Sequence, residues 1–575
     1  MSWRFLLVRL TYNFKEDIIV KGFFALLSIL LFVAGFTACG RNDEETSVPI
    51  QTLATSNMEF ALANASNITV HSFSLGTYGL GGIYWNPVTN EYIPTDIPAP
   101  LDGIIAVPEG YGAHPLVVIL HGNVETDDIT DRVYAGFDYL VQQLAAEGYV
   151  AVSFNIMVDF AFDVEIDGRT ITGESIMHDW AYSLLNEHLE ALSMANEGLE
   201  TAHGLDLTGR ILMNQIHMIG HSRGGMIADA FYRHDRDAGI ERIRSITRLG
   251  TTINIFDYPY NHPNIPISIL MAELDGEILT LDGQIVFDEI LQQSINTSFA
   301  QITYLQGANH AFFNRFFEND DRVFIVEEFA DFFLRHQDIW LTREEQEAFV
   351  KHYIAAFLSV VAQGNTPFST FDPSVAQPTT MFGFPVRAST YFPSAENIGI
   401  AQLQGLGNAT VEAYVQRWGS GELFFHPISF IGQDVRHFTS IRWTSTDGSV
   451  AVTPQTTDFS GHQALSIYVA VDSSNELNPQ GQPQSFSLVL TDTSGTAQII
   501  IIPPETGALY FHIGEEVPAG DILNFPTWRG FMPVSELRVP LSYFTDVNLN
   551  DIASITLQFD QTLSGAIMLG EVFLK

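Results

Sequence analysis

A strand that runs into a glycine-flanked serine and straight out into a helix fits very few folds. Residues 211–233 read that way. The apolar run Ile211-Leu-Met-Asn-Gln-Ile-His-Met-Ile219 enters Gly220-His221-Ser222-Arg223-Gly224, and the helix-like Gly225-Met-Ile-Ala-Asp-Ala-Phe-Tyr-Arg233 follows. The two glycines permit a turn too crowded for side chains, and that turn presents the Ser222 hydroxyl as a nucleophile.

A serine hydroxyl is a poor nucleophile at neutral pH and needs a base, which in turn needs an orienting acid. Two later segments supply them. The buried-type strand Ile267-Ser-Ile-Leu-Met271 ends in a loop carrying Glu273 and Asp275, and the strand Gln301–Leu305 ends in a loop carrying His310. Asp275 is preferred as the acid because it sits further past its strand than Glu273; Asp257 is an outsider. Among 17 histidines His310 stands out by its place after a strand end, whereas His217 and His221 read as structural. The order Ser, Asp, His along the chain is that of α/β-hydrolases. Donors for an oxyanion are expected from the backbone N–H of Arg223, after the nucleophile, and of Asn123, after the strand Leu116–Leu120 and the bend at Gly122.

Between residues 68 and 340 short apolar runs alternate with helical stretches. Strands are expected at Ile104–Val107, Leu116–Leu120, Val150–Phe154, Ile216–Ile219, Ser245–Leu249, Ile267–Met271 and Gln301–Leu305. Helices are expected at Gly136–Glu147, Ser175–Asn196, Gly225–Arg233, Asp288–Asn296 and Val323–Arg335. This pattern predicts an α/β domain over 67–363, a mostly parallel sheet with helices on both faces. It closes with an amphipathic helix at 341–363, where Thr342 and Glu345 have capping-box spacing. The loop Met157–Thr172, with Phe160 and Phe162, is expected to border an open, partly apolar cleft. The short stretch Asn254–Pro266 leaves little room for a lid. After a linker at 364–379 the texture turns to alternating short strands, which predicts an all-β sandwich over 380–575.

The formal charge of −41 excludes a nucleic-acid partner, since a phosphate backbone needs a basic face. The basic start Arg4, Arg9, Lys15, Lys21 and the uncharged stretch Gly22–Ala38 read as a signal segment over 1–38, and 39–66 as a polar tether. Cys39 is the only cysteine, so no disulfide can form within the chain. The segment Phe36-Thr-Ala-Cys-Gly40 resembles a bacterial lipobox. That resemblance implies lipidation of Cys39, export, and anchoring at the outer face of a bacterial membrane.

Three further segments, His121-Gly122-Asn123, Gly136-Phe-Asp-Tyr-Leu with Leu144-Ala-Ala-Glu-Gly-Tyr-Val-Ala-Val, and Gly220-His-Ser-Arg-Gly-Gly, resemble the α/β-hydrolase superfamily. The branch is that of platelet-activating-factor acetylhydrolases, dienelactone-hydrolase-like enzymes and cutinase-like polyester hydrolases. The resemblance implies hydrolysis of small or polymeric carboxylic esters with no metal or organic cofactor. A lipase or peptidase of the same fold, or a non-catalytic binding lipoprotein, are the alternatives. The tail Ser535-Glu-Leu-Arg-Val-Pro, Ile555-Thr-Leu-Gln-Phe and Gly565-Ala-Ile-Met-Leu resembles the last strands of galactose-binding-like jelly rolls, many of which bind carbohydrate. Trp418, Trp443 and Trp528 are the residues that could stack on a polysaccharide, though each reads more readily as core.

Overall fold

Strands made only of Val, Ile, Leu and small residues need cover on both faces, and the middle of this chain supplies a row of them. The computed structural model describes residues 50–575 apart from 125–127, 161–162, 167–168, 174–178, 200–202, 254–262, 279–280, 293–297, 322–335, 366–368, 418–433, 518–526 and 530–531. The signal segment, Cys39, Asp257, Phe162, Trp418 and the helix expected at Val323–Arg335 fall outside the described residues.

The chain is a mixed α/β protein with extensive sheet and few helices. Nine strands matter for the site: β1 (His71–Asn86), β2 (Glu91–Ala106), β3 (His114–Leu120), β4 (Val150–Phe154), β5 (Ile211–His221), β6 (Ile243–Leu249), β7 (Ile267–Ala272), β8 (Ala300–Leu305) and β9 (Phe384–Tyr391). They lie side by side in the order β1-β2-β4-β3-β5-β6-β7-β8-β9. The six from β4 to β8 in this row run parallel. By contrast, β2 opposes β1 and β4, and β9 opposes β8. Short strands Ser56–Met58 and Pro378–Met381 extend the β9 edge, and the hairpin Asp163–Ile166 with Arg169–Gly173 extends the β1 edge, making thirteen strands.

Alternation along a strand assigns its residues to opposite faces. Leu116, Val118 and Leu120 of β3 pack with helices α2 (Asp179–Asn196) and α3 (Arg223–Asp237) through Leu184, Leu185, Ile227 and Phe231. Val117 and Ile119 face the other way, toward Leu140 and Leu144 of helix α1 (Asp138–Ala146) and Phe349, Tyr353 and Phe357 of the helix Arg343–Val361. That last helix opens on the capping box expected from Thr342 and Glu345.

Three expectations need correction. The continuous parallel part is six central strands; the margins are antiparallel except where Ser56–Met58 runs parallel to Pro378–Met381 at the outer edge. The segment read as a tether already carries strands from residue 50: Ile50–Thr52 pairs with Ala497–Ile502, and Ser56–Met58 with Pro378–Met381. The boundary at 364–379 is not a plain linker, because Pro378–Met381 and β9, the latter assigned by sequence to the all-β part, belong to the large sheet.

Apart from a small antiparallel pair, Glu515–Val517 with Thr527–Arg529, the remaining strands form two six-stranded sheets. One contains Ile400–Leu406, Ser449–Pro454, Phe486–Asp492, Ala497–Ile502 and Ile552–Gln558 with Ile50–Thr52; the other contains Asp434–Trp443, Ala464–Val471, Ser535–Pro540 and Gly565–Leu574. Both contribute to one core that includes Trp443, Ile467, Leu488, Ile500, Leu537 and Leu557. Trp443 is fully buried and stacks on Phe559 at 4.1 Å, so it cannot receive a sugar ring. Tyr468, Ala470, Met568 and Phe573 of the second sheet join Ile269, Phe287 and Ile302 in a further core, so the C-terminal sheets are packed onto the large one. Residues 48–575 form one compact unit.

Candidate active site

The parallel strands all present their carboxyl ends at one rim, and the expected site residues sit there. Ser222 leaves β5 at φ 53° and ψ −125° before α3 begins, a backbone region unfavourable to any residue with a side chain. Close packing enforces the turn. A β-carbon on Gly220 would strike the backbone of Gly224, and one on Gly224 would strike the carbonyl of Leu120. The Ser222 N–H donates to the Leu249 carbonyl at 2.9 Å, which ties the turn to the end of β6.

Asp275 follows β7 and His310 follows β8, and the structure joins them: His310 Nδ1 and Asp275 Oδ2 are 2.9 Å apart, both fully buried. The other Asp275 oxygen accepts the N–H groups of Glu277, at 3.0 Å, and Ile278, at 2.7 Å. Glu273, the alternative acid, instead pairs with Arg387 of β9 at 2.8 Å and accepts the Gly307 N–H. His221 supports the site from below. Its ring lies 4.6 Å from that of His310, and its Nε2 is 3.2 Å from the His310 carbonyl, so Nε2 is the donor. Gln346 of the C-terminal helix accepts the Asn309 N–H at 3.0 Å and donates to the Asn309 carbonyl at 2.7 Å, bracing the same loop.

The nucleophile is nearly closed off, with 6% of Ser222 exposed. Its hydroxyl makes no hydrogen bond among the described residues. The His310 Nε2 faces Glu277 instead, with the carboxylate at 3.7 Å. A free site with loose catalytic contacts is common, because they tighten when substrate binds.

The two expected oxyanion donors occupy fitting places. Arg223 is the first residue of α3, where an N–H has no partner inside the helix. Gly122 packs against the nucleophile, since a β-carbon there would come within 3.2 Å of Ser222 Oγ, and Asn123 is the next residue. His121 fixes this loop. Its Nε2 accepts the Ile156 N–H at 3.0 Å, which leaves the proton on Nδ1 to donate to the Gly122 carbonyl at 2.7 Å. Burial pulls the imidazole down to about 4 and keeps it neutral. Phe160, expected to line a cleft, is buried against His121, with ring centroids 5.8 Å apart.

Sequence reasoning missed Glu277 and Asp321, and it named His121 only as part of the segment His121-Gly122-Asn123, without its role in fixing the loop. Glu277 and Asp321 stand in acidic loops that resemble solvated surface. Among the described residues no group of three or more His, Cys, Asp or Glu is arranged to hold a metal ion.

Charge around His310 dictates a pH dependence. Burial by itself would depress the imidazole, but Asp275, Glu277 and Asp321 outweigh it and raise the group to about 10. A base must be neutral to accept a proton, so any rate that uses His310 this way falls as the pH drops below that value. The expected result is an acid limb in log kcat/KM well above the ordinary histidine range. Glu277→Gln should move that limb acidward by about one unit; a limb unmoved by this change would show that Glu277 does not act on the imidazole.

No family model matches the chain, and no curated protein matches it.

Proposed function

We propose that this chain is a serine hydrolase that cleaves carboxylic esters through an acyl-enzyme, on an exported lipoprotein anchored through Cys39. Ser222 carries the reading: a serine held at positive φ between a parallel strand and a helix, at the same rim as a bonded His310–Asp275 pair two and three strands away. The strand order β1-β2-β4-β3-β5-β6-β7-β8, with β2 alone reversed between β1 and β4, supports an α/β-hydrolase fold. The two C-terminal sheets, on this reading, are a β-sandwich built onto it.

In the proposed reaction His310 Nε2 takes the Ser222 proton as Oγ attacks the ester carbonyl. The oxyanion forms against the N–H groups of Asn123 and Arg223, each worth about 3 kcal/mol when preorganised. His310 returns the proton to the departing alcohol, then activates water against the acyl-enzyme by the same route. Asp275 holds the Nδ1 proton and stabilises the imidazolium without taking that proton itself.

A membrane-impermeant fluorophosphonate applied to intact cells tests both parts. Wild type is expected to label from outside, Ser222→Ala not at all, and purified wild type to turn over chromogenic esters. Equal labelling of the two forms would remove Ser222 as the nucleophile. No labelling and no turnover would favour a binding protein, and turnover of amides but not esters a peptidase.

A further inference from the structure

The loop bearing the acid and the loop bearing the base leave different strands; near their roots the Leu274 N–H donates to the Ala308 carbonyl at 2.9 Å and the Gly307 N–H to Glu273 at 3.2 Å, and further out the His310–Asp275 bond joins them. A third carboxylate spans them. Asp321 is fully buried. Its Oδ2 accepts the N–H of Gly276 at 2.8 Å and the N–H of His310 itself at 2.6 Å; its Oδ1 accepts the N–H of Ala311 at 2.6 Å. Gly276 is the residue after the acid, and His310 is the base. Both oxygens are therefore spent on the backbone that aims the two side chains, and Asp321 touches neither the reacting hydroxyl nor the imidazole by hydrogen bond.

We propose that Asp321 is a positioning residue whose ionised carboxylate clamps the loop after β7 to the loop after β8, fixing how His310 meets Asp275. The inference rests on the ester-hydrolase reading of Ser222, His310 and Asp275. Three buried N–H groups converge on one side chain, and a carboxylate is the only side-chain group that offers acceptors alone on both of its atoms. Protonation converts one oxygen into a donor, which then opposes an N–H, and the clamp loosens. A displacement of about 1 Å at such a site is enough to cost about a hundredfold in rate.

The charged groups around Asp321 set when this happens. Burial and the neighbouring Asp275 carboxylate push it up, His310 and the backbone N–H groups of Gly276 and His310 pull it down, and it settles at about 7. His310, itself flanked by Asp275 and Glu277, titrates far above it. Below both values two protons must leave before the site works. The log kcat/KM profile of the full-length protein should therefore rise with slope about 1 above pH 7, as His310 titrates, and with slope near 2 below it.

The test compares wild type with Asp321→Asn, a shape-preserving change that mimics the protonated clamp. Expected are a kcat lowered about ten- to hundredfold with KM within about threefold, a slope near 1 throughout, and a His310 limb shifted acidward by loss of a neighbouring charge. Superimposable pH profiles and equal kcat would overturn the clamp. Asp321→Ala, which deletes all three acceptors, should lower kcat further; if it fails to fold, the Asn profile still decides. Wild-type turnover, run alongside with Ser222→Ala, separates the two claims. If wild type hydrolyses no ester the catalytic reading fails; if it does and Asp321→Asn behaves as wild type, only the clamp fails.

Discussion

Asp275→Asn should lower kcat by about four orders of magnitude while leaving the fold intact. The direction follows from which oxygen does what. Oδ1 accepts two backbone N–H groups, from Glu277 and Ile278, and Oδ2 alone meets His310 Nδ1. An asparagine must keep its carbonyl on the Oδ1 side, because the other orientation would push an NH2 group against two N–H donors. Its NH2 then faces Nδ1 and forces that nitrogen to accept. The proton moves to Nε2, the nitrogen that must take the Ser222 proton, and the base is lost. Loss of the carboxylate charge also lowers the imidazole, and the neutral form that becomes available is in the wrong tautomer. Steady-state turnover of a chromogenic ester from pH 6 to 10 checks this. A deficit below about tenfold across that range would remove Asp275 from the role.

The same reasoning shows what was legible in the residues. The buried parallel strands were read almost to the residue, because runs such as Val150-Ala-Val-Ser-Phe can only exist with both faces covered. Their carboxyl ends then located Ser222, Asp275 and His310 without any spatial information. The margins were not legible. β1 and β2 carry Gly79, Gly81, Gly82, Pro94, Pro98 and Pro100, residues that signal turns locally yet here lie in a long antiparallel pair within the large sheet. β9, Phe384-Pro-Val-Arg-Ala-Ser-Thr-Tyr391, looks too polar for an interior strand until Arg387 is seen against Glu273. Ala464–Val471 reads as a half-exposed alternating strand, but all eight residues are buried, one face toward each of two cores. Ile50–Thr52 has a pairing partner some 450 positions away, and no local pattern encodes that. Asp321 was invisible for the reverse reason: the stretch Glu318-Asn-Asp-Asp321 has the composition of a solvated loop, and only the convergence of three N–H groups reveals its place.

The dependence of the site on the C-terminal sheets gives the second large effect, an expected loss of about 3–5 kcal/mol in Glu536→Gln. Glu536 is fully buried where β9 meets the strand Ser535–Pro540. Its Oε1 accepts from Ser466 at 2.5 Å, Lys575 at 2.6 Å and Arg538 at 3.0 Å. Its Oε2 accepts the Thr390 N–H at 2.9 Å, and donors from Gln377 at 2.5 Å and Arg538 at 3.2 Å. Burial would raise this carboxyl, but the Arg538 guanidinium and the Lys575 ammonium hold it well below the usual carboxylate range. All six bonds come from donors on five residues, and an amide NH2 on either side opposes two that cannot turn to accept (Lys575 and Arg538, or the Thr390 N–H and Arg538), while two buried cations lose their counter-charge. Thr390 belongs to β9, which pairs along its length with β8, the strand whose end carries His310. The loss should therefore register at the site as well as in the sheets. Urea unfolding followed by circular dichroism and by ester turnover should give midpoints that shift together to lower denaturant. If turnover kept its wild-type midpoint while the β-sheet signal melted early, the two parts would be energetically separate and the C-terminal sheets would be an appended module.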